Sequence, residues 1–100
     1  MDFFEISRSF PPEEKYSLTD QGRRSSRSVP GNIREGFAKR RYRQVFARHL
    51  TDAFGSAEET RTWLDFALAC RYMGHEPHTR ISDKYDRICA MLYKLIEQWT

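Results

Sequence analysis

Leu18-Thr19-Asp20-Gln21-Gly22-Arg23-Arg24-Ser25-Ser26-Arg27-Ser28-Val29-Pro30-Gly31-Asn32-Ile33-Arg34-Glu35-Gly36-Phe37 is the stretch whose reading decides the fold. Leu18, Gly22, Val29, Ile33, Gly36 and Phe37 recur at helical spacing on one stripe, with Ser25 and Ser26 beside it. The stripe is small in its first half, which lets a neighbouring backbone approach closely. Pro30-Gly31-Asn32, taken locally, is a turn signal. A proline inside a helix also loses the bond to the carbonyl of Ser26 and clashes with it, at a cost of ~3 kcal/mol. The apolar spacing nevertheless resumes in phase at Ile33 and Phe37. One kinked helix from Glu13 to about Arg40 is therefore expected, the alternative being two shorter helices that meet at Val29.

Working outward toward the N-terminus, Asp2 to Ser9 is expected to form two helical turns with Phe3, Phe4 and Ile6 inward. Phe10-Pro11-Pro12 ends them, because the residue before a proline is pushed out of the helical region. Pro12 suits the first position of the next helix, with Glu13 and Glu14 in its first turn. Toward the C-terminus, the polar run Lys39 to Gln44 breaks the apolar rhythm and marks a turn. A long helix from about Tyr42 to Met73 follows, carrying Phe46, Leu50, Ala53, Ala57, Leu64, Ala67 and Leu68 on one side, a rod of roughly 45 Å at ~1.5 Å per residue. From Trp63 to Met73 the apolar residues run nearly all round, which predicts burial on more than one side. Gly74 is placed at a left-handed helix end, and Pro77 keeps the loop from continuing the helix. Thr79 or Ser82 then caps a last helix with a seam of Ile81, Tyr85, Ile88, Leu92, Leu95, Ile96 and Trp99. Strand signals and repeats are missing from the sequence, so residues 1–100 are read as a single all-α domain, an antiparallel up-and-down four-helix bundle with a shortened first helix.

Composition bounds the class. Apolar residues at 39% and aromatics at 14% are too many for a disordered chain, and 31% charged residues give a soluble surface. The first residues lack the order of a signal peptide and no apolar run reaches spanning length, so a cytoplasmic protein without a membrane role is expected. Cys70 and Cys89 are read as two buried thiols rather than a disulfide.

The phrases Phe10-Pro11, Glu13-Glu14-Lys15-Tyr16-Ser17-Leu18-Thr19, Arg23-Arg24, Val29-Pro30, Asn32-Ile33, Glu35-Gly36-Phe37 and Gly55-Ser56 together resemble a known family. It is the family of four-helix-bundle proteins first noticed in intervening sequences of large-subunit ribosomal RNA genes. The resemblance implies an up-and-down bundle assembled as a homopentamer. It also implies, from relatives that act as accessory proteins of diversity-generating retroelements, partners such as nucleic acid and a reverse transcriptase. Most members have no assigned activity. Two departures stand out. Only residues 1–10 precede the Pro-Pro break where relatives have a full first helix, so either the start is placed too late or the bundle keeps an open groove. The turn after Ala38 is also more basic than the family requires.

Charge points to the surface that matters. Between Arg23 and Arg48 nine basic residues (Arg23, Arg24, Arg27, Arg34, Lys39, Arg40, Arg41, Arg43 and Arg48) face one acidic residue, Glu35, a local +8 in a chain of net +3. On a wheel of about 100° per residue, Arg23, Arg27, Arg34 and Arg41 fall within about 40° of one another if the helix continues past Pro30. Guanidinium forks in a row suit phosphates, and Tyr42 and Phe46 among them would add base stacking where exposed. The plainer reading is a solvated face, partly neutralised by acidic residues of a neighbouring helix such as Asp52, Glu58 and Glu59. Cys70, His75 and His78 do not complete a metal site, and no nucleophile-base pair or phosphate loop is recognisable. The expectation is a non-enzymatic homo-oligomer that needs no cofactor, buries Trp63, Phe66, Cys70 and Met73 between subunits, and binds nucleic acid nonspecifically. The alternative is an assembly scaffold for a protein.

Overall fold

The computed structural model describes residues 2–100. Helix α1 (Asp2–Ser7) is the predicted stub. Its Phe3 is 1% exposed and sits in one cluster with Leu18, Leu64 and Ile81, so the stub is seated across the other helices. Phe10 packs edge-on against Phe3 at 5.9 Å. The next segment differs from the expectation. Pro12–Glu14 forms a single 3-10 turn, and α2 (Leu18–Ala38) begins four residues later. Glu14 bridges the break: its Oε1 accepts from the Ser17 hydroxyl and from the Leu18 amide, and its Oε2 accepts from the Tyr72 hydroxyl at 2.9 Å. The carboxylate thus satisfies a free helix-start donor that a cap residue would otherwise meet.

Pro30 lies inside α2, which continues through it unbroken. Val29 is buried, and Ile33 packs against the same cluster, as the in-phase spacing requires. The small residues of the stripe receive α1 and α3. A Cβ on Gly22 would stand 1.9 Å from the Phe3 ring, and one on Gly36 would stand 2.6 Å from the His49 Cβ. Between them the α2–α3 seam is stitched by hydroxyls and an amide: Ser25 Oγ to Thr60 Oγ1 at 2.8 Å, Ser56 Oγ to Ser28 Oγ at 2.9 Å, and His49 Nδ1 to Asn32 Oδ1 at 3.1 Å. Phe37 departs from the predicted stripe and is 54% exposed.

Helix α3 (Arg43–Ala69) buries Phe46, Leu50, Ala53, Ala57, Leu64 and Ala67 along one side. Its end is not made by Gly74. Arg71 takes the left-handed conformation (φ 64°), while the Tyr72 amide reaches the Ala67 carbonyl at 2.8 Å and the Arg71 amide reaches Leu68 at 3.0 Å. These two bonds satisfy terminal carbonyls and hold a side-chain-bearing residue where glycine is usual. Gly74 is extended and starts α4 (His75–Trp99), so Pro77 falls in the first turn of that helix rather than in the loop. Its missing N–H has no intrahelical partner to lose there. Ile81, Cys89 and Leu92 are buried along the predicted seam, with Tyr85, Ile88, Leu95, Ile96 and Trp99 packed around them.

Helices α2 and α4 both lie against α3, and their own contact is slight. The chain is an all-α bundle with no strand among the described residues. Its short α1 covers only one end of the slot between α2 and α4.

Candidate nucleic-acid interface

The basic residues divide by what holds them. Arg23 is half-buried: its Nε donates to Ser7 Oγ at 2.9 Å, and its guanidinium lies 4.5 Å above the Phe4 ring. It fastens α1 to α2, a role that takes it out of the predicted phosphate-binding set. Arg24 pairs with Asp20 at 3.0 Å on the same helix. Arg27 and Arg34 stay on the predicted ridge, exposed. Arg41 does not, because α2 ends at Ala38 and the chain reverses before α3 begins at Arg43.

That reversal forms a basic corner. Lys39 pairs with Glu35 at 3.0 Å, and this hydrogen bond holds the Glu35 carboxyl below its ordinary value. Arg40 lies 4.0 Å over the exposed Phe37 ring and donates to the Phe37 carbonyl. Arg43 lies 5.1 Å over Trp99 and donates to the Gln98 carbonyl, tying the corner to the end of α4. Arg27, Arg34, Arg41 and Arg48 are exposed and hold no ion pair among the described residues. The expected neutralisation from α3 does not occur. Glu58 pairs with Arg61, Glu59 accepts from the Trp63 indole, and Asp52 reaches none of the nine.

The aromatic partners also change. Tyr42 is 62% exposed, as stacking requires, but Phe46 is 6% exposed and packs against Trp99 at 4.6 Å. Phe37 takes its place at the surface. The signal was available in the wheel, where Phe37 sits about 100° from Gly36 and drifts off the stripe.

Of the residues expected between subunits, Trp63, Phe66 and Cys70 line one shallow depression together with Tyr16 and Leu18. Trp63 and Phe66 lie 5.8 Å apart in a tilted pair, and Phe66 is 54% exposed. Met73 does not join them: it is buried inside the bundle's own core with Leu64 and Ile81. Cys70 is exposed where a buried thiol was expected, while Cys89 is buried and donates to Glu58 Oε1 at 3.1 Å. Burial and that bond push the Cys89 thiol up to about 11. His78 faces Asp65 at 2.9 Å, and no group of three or more metal-ligating side chains occurs among the described residues. No helix among them is long and apolar enough to cross a membrane.

With this geometry in view, the sequence model of the 23S rRNA-intervening sequence protein family matches residues 1–94. The chain belongs to that family. A solved structure from Bacteroides thetaiotaomicron, of a protein with unknown function from the S23 ribosomal protein family, superposes with a TM-score of 0.82 at 24% identity. The match covers 95% of this chain and 85% of that one, and at this identity it speaks for the fold. None of the curated proteins matches the chain. Family membership and the neighbour agree on the helical bundle and assign no activity to the basic surface.

Proposed function

We propose that this chain acts by binding rather than catalysis, as a homo-oligomer that holds nucleic acid without sequence preference on the outer face of α2 and the α2–α3 corner. The observation that supports this most is that, of the nine basic residues between Arg23 and Arg48, the exposed Arg27, Arg34, Arg41 and Arg48 have no ion pair and no ring contact among the described residues. An arginine left without a carboxylate keeps its full fork of donors for phosphate oxygens. Phe37 and Tyr42, exposed beside Arg40 and Arg43, offer stacking surfaces for unpaired bases. These contacts read backbone and ring faces and carry no base-edge code, so binding is indifferent to sequence. Assembly through the Trp63, Phe66 and Cys70 depression would repeat the basic surface, and weak contacts from several subunits would act on one strand. The cytoplasm is the compartment this reading implies.

The test replaces Arg27, Arg34, Arg41 and Arg48 together with glutamine and titrates single- and double-stranded oligonucleotides by fluorescence anisotropy. Affinity is expected to fall for every sequence alike, with helix content unchanged. Equal affinity in the variant would place binding elsewhere.

A further inference from the structure

A groove of about 520 Å³ runs between α2 and α4, which touch only slightly. Val29 and Ile33 line it from α2, and Ile88, Met91 and Leu95 line it from α4. Met91 is 62% exposed, a large apolar side chain open to solvent. The lining spans Arg23 to Ile33 on one wall and Tyr85 to Leu95 on the other, each about 15 Å at ~1.5 Å per residue. That is the length of a helix of about ten residues, or three turns.

The chain itself shows what this slot accepts. Its near end is filled by α1, an acidic amphipathic helix: Phe3 packs down between the walls, Phe4 lies under Arg23, and Asp2 accepts from Lys84 at 2.9 Å. The open part is rimmed the same way. Arg27 lines the α2 wall, and Arg87 and Lys94 stand four and three residues from Met91 on the outer edge of α4. All three are exposed and hold no ion pair among the described residues. The geometry points to a docking groove for an amphipathic helix of a partner protein, its apolar stripe on Val29, Ile33, Ile88, Met91 and Leu95 and its flanking carboxylates on Arg27, Arg87 and Lys94. Apolar packing supplies the affinity, and the basic rims on both sides select acidic flanks over basic ones. Nucleic acid fits the groove poorly, since most of its lining is apolar and Arg23, one of its two arginines, is already held by Ser7 and Phe4.

The probe is a fluorescein-labelled, side-chain-stapled 14-residue helix with leucines at alternating three- and four-residue steps and glutamates beside them, paired with a sister peptide carrying lysine for every glutamate. The acidic peptide is expected to bind the full chain at least about tenfold more tightly than its sister, the scale of about one strong charge contact. Met91→Glu should weaken it by more than about tenfold, because it removes a thioether side chain that the bound peptide would bury and sets a like charge against the probe. Arg87→Glu should weaken the acidic peptide and strengthen the lysine one. Both positions are exposed, so circular dichroism should stay unchanged, and neither belongs to the nucleic-acid surface, so oligonucleotide affinity should stay unchanged as well. Equal binding of the two peptides, or indifference to Met91→Glu, would overturn the proposal. Weaker oligonucleotide binding by Met91→Glu would give the groove to nucleic acid, and a lower oligomeric order for the same variant in sedimentation would give it to a second copy; either also overturns it.

Discussion

Replacing Gly22 with alanine should destabilise this protein although it improves helix propensity. In an open helix the change gains about 1 kcal/mol by removing glycine's backbone freedom. At Gly22 the new methyl would stand 1.9, 2.1 and 2.7 Å from three atoms of the Phe3 ring. The ring is 1% exposed and cannot move aside without leaving its cluster, and α1 goes with it. Losing a buried phenylalanine costs about 3–5 kcal/mol, so the net loss is about 2–4 kcal/mol after the propensity gain. For a domain of this size that lowers Tm by roughly 10 to 25 °C. Gly31 and Gly55 are the internal controls, since a Cβ at either meets nothing within 4 Å; alanine there should raise stability by up to about 1 kcal/mol. Urea unfolding of the three variants checks the sign, and a Phe3→Ala, Gly22→Ala double variant checks the cause, because the second change should then cost far less than it does alone. A stabilised Gly22→Ala protein, or additive losses in the double variant, would refute the packing of α1 on α2.

The Glu14–Tyr72 contact predicts a stability profile with two edges. Hydrogen bonds from Ser17 and Tyr72 hold the Glu14 carboxyl below its ordinary 4.5, so its contribution is present above that pH and lost as pH falls through the depressed value. The bond to Glu14 pushes the Tyr72 hydroxyl from 10.0 up to about 12, so its contribution is intact below pH 10 and lost as pH rises toward 12; in Tyr72→Phe the alkaline edge of Tm against pH should disappear and the acid edge should become shallower but persist, because Ser17 still holds Glu14, and an unchanged alkaline slope would contradict the contact. Pro30→Ala should stabilise by about 2 kcal/mol, the difference between ~3 kcal/mol recovered in the helix interior and ~1 kcal/mol of freedom returned to the unfolded chain; a loss in urea unfolding would mean that the ring packs usefully in the groove. Phe66→Glu should lower the oligomeric order in sedimentation without altering helix content, and an unchanged sedimentation coefficient would move the subunit contact away from this depression.

Much of this fold was legible because most of its core is periodic. The Ile81 to Trp99 seam and the in-phase Val29 and Ile33 follow from helical spacing alone, and the spacing outweighed the local turn signal at Pro30. Missed features depend on partners distant in sequence or on backbone bonds. Ser7 and Phe4 claim Arg23 from another helix, so no reading of α2 by itself separates it from Arg27. Arg71 rather than Gly74 takes the left-handed position because two amide bonds hold it there. At the basic corner the end of α2 at Ala38 detaches Arg41 from the ridge, while Trp99 draws Phe46 inward. The charge excess itself was plain in the sequence, and the structure adds which arginines remain without partners.

The most direct test of the central claim is the salt dependence of oligonucleotide binding. Each phosphate contact releases condensed counterions, so four arginines per subunit predict a slope of log affinity against log salt of about −3.6 on duplex, steeper if several subunits share the strand. The variant with glutamine at Arg27, Arg34, Arg41 and Arg48 should flatten that slope by the same amount while keeping its oligomeric state. Binding that persists with little salt dependence, or a slope unchanged in the variant, would contradict the account.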